Sequence, residues 1–99
     1  MTDFPERRLV IIIHPTDNVA TALEDLDIGS RLTISLEQEK IGIVVKESVP
    51  RGHKISVKTI QAGMPVIKYG EQIGIARGRI EPGVHVHIHN VAGTRAQRK

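Results

Sequence analysis

Cysteine is absent from this 99-residue chain, and the absence narrows the chemistry open to it. Disulfide bonds, thiolate zinc sites and cysteine nucleophiles are excluded. A chain without cysteine also suits a reducing compartment, and we expect a cytoplasmic protein.

Large aromatic side chains are nearly absent as well, because Phe4 and Tyr69 are the only ones. A core must then be built from isoleucine, valine and leucine, and β-branched residues favour strands. We therefore predict a mainly β domain of short strands. The lack of aromatic rings also argues against single-stranded nucleic acid as a partner, because such partners bind by stacking.

Long hydrophobic runs are missing too. The apolar block at residues 9–13 has the length of a strand, far below that of a membrane span, and no secretory signal follows Met1. We expect no membrane association.

The net charge of +3 comes from the end of the chain. Arg95, Arg98 and Lys99 supply three positive charges, so the rest of the chain is neutral overall. A neutral body is not the basic surface that nucleic-acid binding requires. We divide the chain into a leader at residues 1–7, a domain at 8–91 and a basic, flexible tail at 92–99.

Alternating apolar residues and turn-forming residues define the expected elements. Residues 18–26 carry apolar side chains at helical spacing after Asp17, a good helix cap, so we expect one short helix or helical turn there. A hairpin through residues 37–39 should join two of the strands. Strands are predicted at residues 8–14, 31–36, 40–47, 53–58, 65–69, 72–77 and 84–90.

A short pattern occurs three times. It begins with an aliphatic residue, continues with two residues, a glycine and two more residues, and ends with a second aliphatic residue. The pattern occurs at residues 26–32, 60–66 and 80–86. We predict that Gly29, Gly63 and Gly83 each take a positive φ in a turn before a strand.

Histidines occupy every second position from His85 to His89. Side chains alternate between the two faces of a strand, so His85, His87 and His89 should form one row opposite Val84, Val86 and Ile88, which should face the core. Such a row can hold a metal ion, the carboxylate of a small acid or a partner chain.

Four sequence blocks resemble a known family. They are HPTDNVA from His14, PRGHKI from Pro50, VIKYGEQIG from Val66 and GVHVHIHN from Gly83. Their order is similar to that in the N-terminal SAF domain of the altronate and galactarate dehydratase family, and in the stand-alone small subunit of sulfolactate sulfo-lyase. The resemblance covers roughly residues 9–91 and implies a SAF-type β-clip fold.

The resemblance also implies a lyase that removes water or sulfite next to a hydroxy-carboxylate carbon. It implies a divalent metal, commonly Fe²⁺, and a small-molecule hydroxy acid as substrate. Because the larger catalytic domain of the dehydratases is absent, we expect a large catalytic lyase subunit as partner and no activity from this chain alone.

Candidate site residues follow from this chemistry, since elimination needs a base, an acid and a group that neutralises the developing charge. His53 and Lys54 are assigned to catalysis, and the pair can also hold a substrate carboxylate. Residues assigned to substrate binding are His14, Asp17, Asn18 and Asn90. Residues assigned to the metal are His85, His87 and His89.

Two functions therefore stay open. The chain is either the small subunit or accessory domain of a hydroxy-acid lyase, or a stand-alone module that binds a metal or small acid without catalysis. Exposed strand edges also make a homodimer conceivable.

Overall fold

The computed structural model describes residues 9–36 and 39–93, and the predicted leader and most of the predicted tail lie outside these ranges. Within them the chain forms strands and turns without any helix, which confirms the mainly β class. The described part therefore contains no helix long and apolar enough to cross a membrane. The strands are β1 Val10–Ile11, β2 Val19–Ala22, β3 Arg31–Leu36, β4 Glu39–Val44, β5 Lys54–Ser56, β6 Pro65–Lys68, β7 Glu71–Ala76, β8 His85–Val86 and β9 Val91–Gly93.

Three antiparallel sheets are present in this part of the chain. The central sheet has the order β1-β2-β5-β8, so it joins strands that are far apart in sequence. The predicted pairing of β3 with β4 is confirmed by a continuous register from Arg31–Val44 to Leu36–Glu39. The third sheet has the order β6-β7-β9.

Residues 18–26 do not form the predicted helix. Val19 to Ala22 is instead strand β2, which pairs with β1 on one side and β5 on the other. Its Val19, Ala20 and Ala22 are buried. Pairing on both edges satisfies the backbone groups and buries this segment more completely than a surface helix would, so tertiary contacts override the helical spacing.

Two predicted strands are much shorter than expected. In the described part of the strand predicted at residues 8–14, only β1 forms, and Ile13 beyond it is 64% exposed. The strand at residues 84–90 is reduced to β8, after which residues 87–90 form a turn. Val86 is buried as predicted, but Ile88 is 77% exposed, so its predicted place in the core is wrong.

The glycine turns are confirmed and a fourth copy appears. Gly29, Gly63 and Gly83 have φ values of 90°, 82° and 91°, and Gly52, with φ 85°, occupies the same place in the pattern at residues 49–55. The first aliphatic residues pair through reciprocal backbone hydrogen bonds: Leu26 with Val49 at 2.8 and 2.9 Å, and Ile60 with Ile80 at 2.8 Å in both directions.

The four turns therefore divide the domain into two similar halves. In each half a glycine turn leads into a hairpin, and a second glycine turn leads into a short strand of the central sheet. The aliphatic residues of all four turns are buried. They belong to two core clusters, one built mainly from residues 10–57 and the other mainly from residues 60–86.

Candidate functional site

Three histidines converge where β5 meets β8. His53 lies in the turn before β5, His85 lies in β8, and His87 follows β8 directly. The antiparallel pairing places Ile55 opposite His85 and Lys54 opposite Val86, which brings the turn of His53 beside β8. One ring nitrogen from each of the three histidines lies within 4.8 Å of the others.

The three imidazoles are stacked on one another. The ring centroids of His53 and His87 are 4.3 Å apart, and those of His53 and His85 are 5.1 Å apart. Nδ1 of His53 and Nε2 of His85 are within hydrogen-bond distance at 2.9 Å. Imidazole nitrogens at such spacing form a donor set that suits Zn, Fe, Cu or Ni.

His89 occupies a different position from the one predicted. It is exposed, and its ring lies 5.3 Å from that of His85, at the outer side of the cluster. It is not part of the group formed by His53, His85 and His87. The predicted row thus contributes two members to the convergent group, and His53 supplies the third from the turn before β5.

Asn90 closes the turn that carries these histidines. Its Oδ1 accepts a hydrogen bond from the His87 N–H, and its Nδ2 donates to the His85 carbonyl, both at 2.9 Å. These side-chain hydrogen bonds take the place of the backbone hydrogen bonds that a longer β8 would have formed with a neighbouring strand. The amide of Asn90 is therefore occupied in positioning His85 and His87, and its assignment to substrate binding stays a prediction.

The environment favours neutral rings at His85 and His87. Partial burial lowers the pKa of His85, nearby His53, His89 and His87 lower it further, and Glu47 opposes them. Partial burial, followed by His53 and Lys54, likewise lowers the pKa of His87. Only the neutral form of imidazole can ligate a metal, so these shifts prepare both rings for that role.

A pocket of about 320 Å³ adjoins the histidine cluster. It is lined by Lys54, Lys68, Ile73, His87, Ile88, Val91 and Gly93. Burial lowers the pKa of Lys54, and the nearby positive charge of Lys68 lowers it further. The lining of the pocket thus combines lysine, histidine and aliphatic side chains.

Lys68 is a site residue that sequence reasoning missed. It lies in β6 within the block VIKYGEQIG, but no local pattern distinguishes it from a solvated strand lysine. The fold places it near enough to Lys54 for its charge to lower the pKa of Lys54, and its Nζ lies 5.0 Å from the centre of the Tyr69 ring. The Tyr69 hydroxyl in turn lies 3.3 Å from Oγ1 of Thr21 in β2.

Asp17 is fully buried, and its carboxylate is bound to backbone groups. It accepts hydrogen bonds from the N–H groups of Gly70 at 2.8 Å, His14 at 3.1 Å and Ile13 at 3.3 Å. Burial alone would raise its pKa, but these backbone hydrogen bonds outweigh burial and lower it. The carboxylate thereby connects the turn after β1 to the turn between β6 and β7 through hydrogen bonds.

Asn18 and His14 complete the set of predicted residues. The Asn18 side chain donates to the carbonyl of Pro65 at 3.0 Å and accepts from the N–H of Ile67 at 2.7 Å, so it joins the residue before β2 to β6. His14 is exposed, and its Nδ1 lies 2.8 Å from the hydroxyl of Thr16. His14 does not belong to the group formed by His53, His85 and His87. Substrate binding by His14 and Asn18 stays a prediction.

Comparison with known proteins places these features in a family context. Residues 8–94 match the model of the altronate/galactarate dehydratase SAF domain. The chain is 44% identical over 80 residues to altronate dehydratase of Escherichia coli (strain K12) and 41% identical to that of Bacillus subtilis (strain 168). Each match covers 81% of this chain but only 15% of the dehydratase, so the chain spans a small part of these relatives.

A small subunit is matched over most of its length. The chain is 31% identical over 84 residues to the alpha subunit of (2R)-sulfolactate sulfo-lyase from Chromohalobacter salexigens. That match covers 81% of this chain and 89% of the subunit.

Proposed function

This chain belongs to the altronate/galactarate dehydratase SAF-domain family, and from that membership we propose that it is the small subunit or accessory domain of a hydroxy-acid lyase. The observation that carries the proposal is the match over 89% of a relative named as an enzyme subunit. A separate large subunit would complete the active site. We propose that the assembled enzyme works in the cytoplasm on a small hydroxy acid or its sulfo analogue.

The metal belongs to this proposal, and the residues present fit it. His53, His85 and His87 would hold a divalent ion, with Fe²⁺ the proposed ion, because their ring nitrogens converge and two of the rings favour the neutral form. When bound, such an ion supplies positive charge that stabilises the enolate-like charge of an elimination.

The chain's own residues have separable tasks in this scheme. Lys54 lines the pocket beside His87, where its Nζ can hold or move a proton next to a bound acid. Asn90 keeps His85 and His87 in place through its two backbone hydrogen bonds. His53, first assigned to catalysis together with Lys54, is reassigned here to the ligand group.

Co-expression with the large lyase-type chain encoded nearest to this protein tests the proposal. We expect the purified small chain alone to leave altronate, galactarate and (2R)-sulfolactate unchanged, and the complex to turn over one of them. Full activity of the small chain alone, or failure of the two chains to associate, contradicts the proposal.

Histidine variants of the same complex test the assignment of ligands. His87→Ala combined with His89→Ala should leave the circular dichroism of the chain unchanged and abolish turnover. His89→Ala alone should retain iron, measured by mass spectrometry after anaerobic loading, whereas His87→Ala alone should lose it. Gln61→Ala, a change at an exposed site, serves as the control. Loss of the fold in the double variant would make these histidines structural.

A second function is favoured by one observation, namely that the histidine group and the pocket are both formed within this chain. The chain could then bind a metal or small acid without catalysis. Thermal shift of the isolated protein with Fe²⁺, Zn²⁺ and Mn²⁺ tests this version, and an unchanged melting temperature with all three rejects metal binding.

A further inference from the structure

We propose that the pocket between Lys54 and Lys68 binds the oxyanion group of a small hydroxy acid, either a carboxylate or a sulfonate. Lys68 is the residue that selects acids over neutral polyols. The inference deepens the proposed function and rests on it for the identity of the acid, but the binding itself can be tested on this chain alone.

The first support is the charge of the pocket. Lys54 and Lys68 line the same cavity, and both are half-buried. Among the described residues, neither ammonium group lies within ion-pair distance of a carboxylate, and Lys68 contacts only the ring of Tyr69 through its charge. Two neighbouring ammonium groups without a counter-charge repel each other, so an anion that binds both relieves the repulsion.

The second support is the shape and lining of the cavity. Ile73, Val91 and Ile88 line the same cavity as the charged groups and give it an aliphatic part. A volume of about 320 Å³ lies at the lower limit for ligand pockets, which favours a small molecule over a peptide or nucleotide. A short carbon chain with one charged end matches such a lining.

The third support is the position of His87. This residue lines the pocket and also belongs to the convergent group with His53 and His85. An oxyanion held by the two lysines would therefore lie beside the histidine group. In such a pocket the two lysines would hold the charged end of an acid, and its carbon chain would contact the aliphatic residues of the lining.

Nuclear magnetic resonance titration of the full chain tests the inference. The probes are lactate, which has a carboxylate, 2-hydroxyethanesulfonate, which has a sulfonate, and propane-1,2-diol, which is neutral. We expect at least one acid to shift the amide signals of Lys68, Ile73 and Val91, and the diol to shift none. The acid that binds identifies the preferred oxyanion.

Variants of the lysine complete the test. Lys68→Gln should weaken acid binding by about tenfold, because a charge-assisted hydrogen bond is lost, whereas Lys68→Arg should retain it. Lys40→Gln, at an exposed lysine of β4, is the matched control and should bind as the wild type does. Equal shifts with the diol, shifts that map elsewhere, or unchanged binding by Lys68→Gln overturn the inference. If the Lys68→Gln variant fails to fold, the set of amide signals that the acids shift in the wild-type chain still tests whether they bind in this pocket.

The assembled enzyme separates this inference from the proposed function. An active complex in which Lys68→Gln alters neither KM nor acid binding rejects the pocket and keeps the function. Lys68-dependent acid binding by a chain that never yields an active complex keeps the pocket and rejects the function.

Discussion

At the scale of single residues, polar side chains serve two purposes in this domain. The side chains of Asp17 and Asn18 are bound to backbone groups, whereas Lys54, Lys68 and His87 face an open pocket. Both kinds occur within the four sequence blocks that resemble the family. A side chain that is hydrogen-bonded to the backbone must break those bonds before it can bind a ligand, which costs free energy. These contacts therefore favour a structural role for Asp17 and Asn18.

Removal of the buried carboxylate tests that role. Asp17→Ala leaves three backbone N–H groups without their acceptor, and we expect the free energy of unfolding to fall by about 3 kcal/mol. Urea denaturation measures the change. Asp27→Ala, at an exposed position, should stay within about 0.5 kcal/mol of the wild type, and an equal loss in both variants would contradict the structural role.

Acidification should destabilise the metal-free chain through the histidine cluster. The pKa values of His85 and His87 lie below the ordinary 6.5, so the unfolded chain binds more protons than the folded chain as the pH falls below that value. The stabilisation that the two neutral histidines contribute is complete above pH 6.5, and it is lost as the pH falls through their lowered pKa values. The neighbouring charges of His53 and His89 lower the pKa of both histidines. Lys54 lowers that of His87, and Glu47 raises that of His85.

Melting curves between pH 7 and pH 5 in the presence of a chelator measure this effect. The melting temperature should decrease with falling pH, and the decrease should become smaller when His85 and His87 are both changed to glutamine. His14→Gln, outside the cluster, should keep the wild-type slope. A steeper slope in the double variant would show that the linkage has the opposite sign.

At the scale of elements, the glycine turns organise the strands. Gly63 and Gly83 have similar positive φ values, but their surroundings differ. A β-carbon at Gly63 would meet nothing within 4 Å, whereas one at Gly83 would collide with the carbonyl oxygen of Val44 at the end of β4. The turn at Gly83 is therefore also a point of close contact between the two halves.

This contrast predicts unequal costs for the same substitution. Gly63→Ala should cost about 1 kcal/mol, because alanine is strained at positive φ. Gly83→Ala should cost about 3 kcal/mol, since β4 must also move. Chemical denaturation of both variants gives the comparison, and equal costs would mean that the backbones are not in close contact at Gly83.

At the scale of the whole molecule, two core clusters share one central sheet. β2 and β5 lie in the middle of that sheet, and their buried residues contribute to the clusters. Val19 packs in the second cluster, while its neighbour Ala20 packs in the first. One strand therefore supports both halves, and we expect them to unfold together.

Core truncation in each half tests this cooperativity. Leu32→Ala and Ile80→Ala should each lower the free energy of unfolding by about 2–5 kcal/mol. Tyr69, the only tyrosine, reports on the second half by fluorescence, and circular dichroism reports on all strands. The two signals should change at the same urea concentration in both variants. Separate transitions would show that the halves unfold independently.

The sequence by itself determined the features that depend on near neighbours. Alternation predicted the β3–β4 hairpin, the repeated pattern predicted positive φ at Gly29, Gly63 and Gly83, and the four blocks identified the family. These follow locally, because side-chain alternation and glycine backbone freedom act within a few residues.

Only the tertiary structure decided which distant groups meet. Strand pairing made Val19 to Ala22 a strand, and Asn90 turned the chain after Val86, which ended the predicted histidine row. The β5–β8 register brought His53 to His85 and His87, and the sheets placed Lys68 near Lys54. Long-range register depends on the joint burial of many side chains, which no local pattern contains, so the way in which these groups meet could be seen only in the folded chain.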